Sequence, residues 1–175
     1  SLRAAGDEAA ATAGPDRSAD YARGETRDHP GRMALHESDH TLATKLYQNT
    51  ARVHFDAQMM QATPFKRRLV YGGHVISVCR ALSYDGLENV LAIAAVNGGS
   101  HTNPTFAGDT LYARTEVLEK WPLPGRSDAG ALRLRLLGIK NVPAAMLERA
   151  TGEDGKPHPN VVLDFDYTVI MPRRT

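Results

Sequence analysis

The hydrophobic positions of this chain follow a helical period up to about Leu87 and a strand period after it. In "YGGHVISVCRALSYDGL" the apolar residues Val75, Ile76, Cys79 and Leu82 recur at helical spacing, and Val78 and Ala81 widen the stripe. A helix that is apolar around so much of its circumference is expected to be buried, with Gly86 placed to end it. Past that point the period shortens from about 3.6 residues to about 2. Four strands are predicted in succession, in "NVLAIAAVN", "DTLYARTEVLEK", "ALRLRLLGIK" and "NVVLDFDYTVIM". Leu132, Leu134 and Leu136 alternate with Arg133 and Arg135, while Leu163, Phe165, Tyr167 and Val169 alternate with Asp164 and Asp166. Each of these strands has one core face and one wet face. If the two are neighbours, the arginine and aspartate rows pair across the outer side of the sheet, at about 0.2–1 kcal/mol per pair.

The remaining segments complete an α+β pattern. "DHPGRMAL" reads as a short first strand, and "ESDHTLATKLYQ" as a helix with Ser38 or Asp39 at its N-cap and Leu42, Leu46 and Tyr47 on one side. The connection "NVPAAMLERATGEDGKPHPN" is long for a compact domain, and it is expected to hold a short helix around "AAMLERA" and a turn at Asp154–Gly155. Residues 1–19 are small, polar and Ala/Gly-rich without an apolar face; they read as a tail or linker, with one folded domain over 20–175. The predicted architecture is a curved antiparallel sheet wrapped around one long central helix.

Composition narrows the function classes. The 175 residues fit one domain, and 42% apolar content supports a real core. With 21 basic and 20 acidic residues the formal charge is +1, which offers no broad surface for nucleic acid or membrane. The single cysteine, Cys79, forms no internal disulfide, and a reducing, cytoplasmic location is expected. No apolar run reaches the ~20 residues of a membrane span, and no leader pattern opens the sequence.

Several residues carry candidate chemistry. "HESDH", His36 to His40, matches the His-Glu-x-x-His pattern of zinc peptidases, but it falls where a helix begins and lacks a third ligand, so no metal is expected. Cys79 lies inside the apolar stripe, where a thiol stays protonated and inert. Gly72 and Gly73 open the central helix; they either form a tight turn or leave free N–H groups that stabilise negative charge on a substrate oxygen. Arg67 and Arg68, in "FKRRLVYGG", are either a solvated basic turn or an anion site. In "QNTARVHFD", His54 stands between Val53 and Phe55, five positions after Asn49; the spacing is compatible with a packed core histidine and with a proton-transfer group.

Taken together, "QNTARVHFDAQMM", "RRLVYGGHVISVCRALSYDGLENV", "NGGSHTNPTFAGDTLYARTEV" and "VVLDFDYTVIMPRR" resemble the MaoC-like hydratase/dehydratase family of hotdog-fold proteins, over about Asp20 to Arg174. "YGGHVIS", "RALS" and "GLEN" point to a narrower group that acts on mesaconyl-CoA or β-methylmalyl-CoA, and there to the C-terminal half of a two-hotdog chain. The resemblance implies a hotdog paired with a second one as a homodimer or higher homo-oligomer. It also implies an acyl-CoA thioester bound at the interface, and reversible hydration of an enoyl-CoA with no cofactor beyond that substrate.

The family's Asp-x-Asn-Pro-x-His motif lays its histidine on His54 and its aspartate on Asn49, with Ala51 and Arg52 at the inner pair. His54 and Asn49 are thus the implied catalytic pair, although an amide has no titratable proton near neutral pH. The backbone around Gly72, Gly73 and His74 is expected to polarise the thioester. Asp56 is expected either to assist His54 or to cap a helix, and Arg52, Arg67 or Arg68 to meet a distal carboxylate or a CoA phosphate. Thioester hydrolysis and non-catalytic CoA binding are the alternative activities, because one fold hosts several chemistries.

Overall fold

The computed structural model describes residues 14–174; the first thirteen residues of the expected tail lie outside the described residues. The rest of that expected tail is part of the domain. Ser18 N–H donates to Pro172 O at 2.8 Å, and the Asn89 amide donates to Gly14 O at 2.9 Å. Polar bonds rather than an apolar face hold this segment, which is why hydrophobic patterning missed it.

The central helix, α3 (Gly72–Leu82), follows two short strands, β1 (Thr26–Asp28) and β2 (Met33–Ala34), and the helices α1 (Glu37–Leu46) and α2 (Ala57–Gln61). The predicted stripe is the buried one: Val75, Val78 and Cys79 are enclosed, with Ile76 and Leu82 partly so. Burial pushes the Cys79 thiol up to about 12, so it is protonated at neutral pH. The helix packs tightly on the sheet at Gly138, where a Cβ would come 2.7 Å from Cys79 Sγ and 2.9 Å from Leu163 Cβ. Only glycine allows that approach.

Four strands follow: β3 (Ala92–Ser100), β4 (Thr110–Pro122), β5 (Ala129–Lys140) and β6 (Val161–Pro172). The sheet is antiparallel with order β1-β4-β5-β6-β3, and β2 also pairs with β4. Leu132, Leu134, Leu136, Phe165, Tyr167 and Val169 face the helix in one core. This is the curved antiparallel sheet around one helix that the periodicity predicts, and the hotdog arrangement that the family resemblance implies.

The two charge rows meet on the outer face. Arg133 pairs with Asp166 and Arg135 with Asp164, each at 2.6 Å. The partners are diagonal rather than directly opposite, because Arg135 stands across from Asp166 and Arg133 across from Thr168. The sheet's twist brings one diagonal within reach of a long side chain.

Toward its end the outer face of β5 turns apolar at Leu137 and Ile139, and the long connection covers it with Val142, Ala144 and Leu147. The expected helix over "AAMLERA" shrinks to one 3-10 turn, Ala144–Met146. Arg114 takes the carbonyls that a longer helix would use, donating to Ala144 O at 2.6 Å and to Leu147 O at 2.9 Å. The expected turn is present, with Gly155 at φ +76 and Gly152 N–H bonded to Lys156 O.

α1 departs from expectation in its exposed face. Neither Ser38 nor Asp39 caps it; the helix starts at Glu37 after His36, which makes no side-chain cap. Leu42, Leu46 and Tyr47 are 59%, 68% and 71% exposed, whereas His40 and Thr44 are buried. β3 is exposed along its whole length, including Ile93 and Val96, and forms an edge of the sheet. No helix among the described residues is long and apolar enough to cross a membrane.

Buried imidazoles make stability acid-sensitive. His29 is buried, with Nδ1 2.8 Å from Asp85 O and Nε2 2.8 Å from Thr115 Oγ1, and burial holds its pKa below the ordinary value. Burial lowers His40 and His74 as well. Below the unfolded value of about 6.5 the unfolded chain binds protons that the native state resists, so stability present at neutral pH is lost as pH falls. The urea midpoint is therefore expected to be lower at pH 5 than at pH 7.5, and the loss to shrink in His29→Asn. Equal midpoints at the two pH values would contradict this account.

Candidate active site

The site begins where α1 stops. Gln48 adopts a left-handed backbone, φ +51, and the reversal lets Asn49 N–H donate to Thr44 O at 3.0 Å. Asn49 Oδ1 then accepts from Ala51 N–H at 2.9 Å, which fixes the amide plane. Among the described residues its NH2 group meets no protein acceptor, so it remains available as a donor.

One turn of 3-10 helix, Arg52–His54, carries His54 to the same place. The segment is tied to the chain ahead of α3 by Leu69 N–H donating to Val53 O, and by His54 Nδ1 standing 3.0 Å from Leu69 O. A carbonyl only accepts, so Nδ1 carries the proton of the neutral ring and Nε2 keeps a free lone pair. The Tyr71 ring packs edge-on against the imidazole at 5.8 Å.

His54 and Asn49 are two walls of one cleft of about 340 Å³, which Tyr71, Gly72, Gly73 and His101 also line. Gly72 and Gly73 are the first residues of α3, so their N–H groups have no carbonyl one turn earlier to bond. Both residues line the cleft, which therefore adjoins the positive end of the helix dipole. The His101 ring lies against Gly72, where a Cβ would come 2.9 Å from Cδ2 and Cε1. Desolvation, and after it the neighbouring His54, holds the His101 pKa below the ordinary imidazole value. No carboxylate lines the cleft among the described residues.

The other expected site residues lie elsewhere. His74 N–H is already bonded to Tyr71 O at 3.0 Å, and its ring is a neighbour of Asp39 and His40 on α1 rather than a wall of the cleft. Asp56 is a helix cap: Oδ1 accepts from Met59 N–H at 2.8 Å, and Oδ2 pairs with Arg52 at 2.6 Å. Arg52 is thereby committed to Asp56. Arg67 lies over the Phe106 ring at 4.0 Å. Arg68 donates from Nε to Glu37 at 2.7 Å and borders a second groove that shares Asn49 with the cleft.

The His-Glu-x-x-His match has no metal geometry. His40 is fully buried with Nε2 3.5 Å from Glu37 Oε2, Glu37 is engaged by Arg68, and no cluster of three or more ligand-type residues is found among the described residues. Sequence reasoning missed His101 and Tyr71. His101 sits in "NGGSHTNP", at the end of a glycine-containing edge strand, and a second histidine there was the available signal.

No family model matches the chain. Among curated proteins, it is 54% identical over 155 residues to β-methylmalyl-CoA dehydratase of Chloroflexus aurantiacus, covering 89% of this chain and 44% of that one. It is 51% identical over 161 residues to mesaconyl-CoA hydratase of Cereibacter sphaeroides, covering 91% and 45%. Among solved structures, a MaoC domain protein dehydratase of Chloroflexus aurantiacus superposes with a TM-score of 0.91 at 48% identity, over 99% of this chain and 49% of that one. The chain thus spans about half the length of the curated relatives it matches.

Proposed function

Because this chain belongs to the MaoC-like hydratase/dehydratase family of hotdog folds, we propose that it adds water reversibly across the double bond of an enoyl-CoA, with mesaconyl-CoA or a similar branched acyl group as substrate. The observation that carries the reading is His54: its tautomer is set by Leu69 O, and it shares a cleft with the free amides of α3.

In this mechanism the thioester oxygen accepts from the N–H groups of Gly72 and Gly73. One such donor aimed at an oxyanion contributes about 2.7–4 kcal/mol. The Asn49 NH2 group donates to a water oxygen and holds it against the β-carbon. His54 Nε2 takes a proton from that water as the C–O bond forms and the double-bond electrons move toward the thioester oxygen. The resulting imidazolium returns the proton to the α-carbon as the carbonyl re-forms, so hydrogen and hydroxyl are added and the histidine ends neutral. Dehydration is the reverse.

A second hotdog completes the assembly in this reading. The exposed edge strand β3, with Ile93 and Val96, and the exposed Leu42, Leu46 and Tyr47 of α1 are apolar surface that a partner would cover.

The test is loss of enoyl-thioester absorbance with purified protein over a panel that includes mesaconyl-CoA and crotonyl-CoA, with solution mass and thiol release measured alongside. Hydration of at least one ester by an oligomer is expected. Thiol release without hydration would make the chain a thioesterase, and CoA binding without turnover a non-catalytic partner subunit.

A further inference from the structure

We propose that the groove beside the cleft, between α1 and the Phe55–Arg68 wall, is a subsite for a carboxylate on the acyl group, with Lys45 and Arg68 as its cations. This rests on the acyl-CoA reading and adds what selects the acyl chain.

Three arginines precede α3 closely enough to meet an anion, and the structure separates them. Arg52 is committed to Asp56, and Arg67 is stacked on Phe106. Arg68 alone faces a concavity contiguous with the cleft, one of about 310 Å³ lined also by Thr41, Lys45, Gln48, Asn49 and Phe55.

The two hollows are joined wall to wall. Asn49 belongs to both; His54 in the cleft is continued by Phe55 in the groove, and Leu69 by Arg68. The groove is thus the continuation of the cleft past Asn49 for a carboxylate carried on an acyl group.

The charge arithmetic favours an anion. Glu37 neutralises Arg68 and orients it, together with a bond from Arg68 Nη1 to Phe55 O at 3.3 Å. Lys45 makes no ion pair among the described residues, so the groove holds two cations against one carboxylate. One positive charge is left for one ligand carboxylate. Lys45 supplies it on a flexible stem, and Arg68 adds the guanidinium hydrogens that Glu37 and Phe55 leave free.

Saturated esters test this without turnover: calorimetric titration of the oligomeric protein with succinyl-CoA and butyryl-CoA, which differ at the acyl end. The wild type is expected to bind succinyl-CoA about tenfold more tightly or better, in line with a charge-assisted contact. Lys45→Ala, on an exposed helix position, should lose most of that preference while butyryl-CoA binding holds, and Arg68→Met should lose it further. Equal affinities in the wild type overturn the subsite. Equal weakening of both esters in Lys45→Ala also overturns it, by placing the cation on the CoA phosphates. Failure to bind either ester overturns the acyl-CoA reading along with the subsite. A preference for succinyl-CoA in a protein that hydrates no enoyl-CoA leaves the subsite standing and removes only the hydratase.

Discussion

Replacing His54 by alanine is expected to lower kcat for hydration by about 10²–10⁴-fold, the range for a single proton-transferring side chain. Binding of a saturated acyl-CoA should change little, because the amides of Gly72 and Gly73 and the groove cations stay in place. The magnitude follows from the division of labour in the cleft. No carboxylate lines the cleft among the described residues, so in the proposed mechanism an imidazole both takes the water proton and returns it to carbon; that role falls to His54, beside Asn49, and not to His101, whose ring lies against Gly72. Hydrogen bonding to Leu69 O already fixes the tautomer, so in the proposed mechanism the ring needs no reorganisation. Stopped-flow absorbance with the variant, paired with calorimetry on the saturated ester, separates lost chemistry from lost binding. An alanine variant that keeps the wild-type rate would remove His54 from the mechanism.

Asn49→Asp is the second large effect, and its direction is diagnostic. Aspartate keeps the oxygen that accepts from Ala51 N–H, so the local turn survives, but it exchanges the NH2 donor for a second acceptor. A water held by donation from position 49 loses that bond, which predicts a fall of about 10–10² in kcat near neutral pH, the equivalent of about 1.5–3 kcal/mol. Steady-state hydration kinetics of the variant at neutral pH check this. If Asn49→Asp instead gains activity, the amide marks a lost acid and the chain is a partner for an active hotdog.

The largest features of this protein were legible in residue order because they depend on local periodicity. The stripe Val75, Val78, Cys79 is buried by a helix whatever the helix packs on, and the alternation at Leu132–Leu136 and Phe165–Val169 presents one face to a core. The arginine and aspartate rows needed only the adjacency of β5 and β6. Asn49 and His54 were both visible, five positions apart, through their likeness to a family motif.

What residue order left open were outcomes of competition between distant groups. Asp56 reads equally as a helper of His54 or as a cap, and its bonds to Met59 N–H and Arg52 make it a cap. Three arginines read alike until Phe106 took one, Asp56 another, and Glu37 aimed the third along the groove. His74 adjoins two site glycines in sequence, yet the helical rotation of about 100° per residue turns it toward α1. His101 enters the site from the far end of β3, some thirty positions along the chain, because the sheet curves over the start of α3. The sequence by itself therefore determined the helix, the strands and their buried faces, and through its likeness to a family motif it pointed to Asn49 and His54, which the fold brings to one cleft. The tertiary structure alone decided which polar side chains are already satisfied and which remain free to meet a ligand, since a charge or hydrogen-bond donor is spent on whichever partner folding brings within reach.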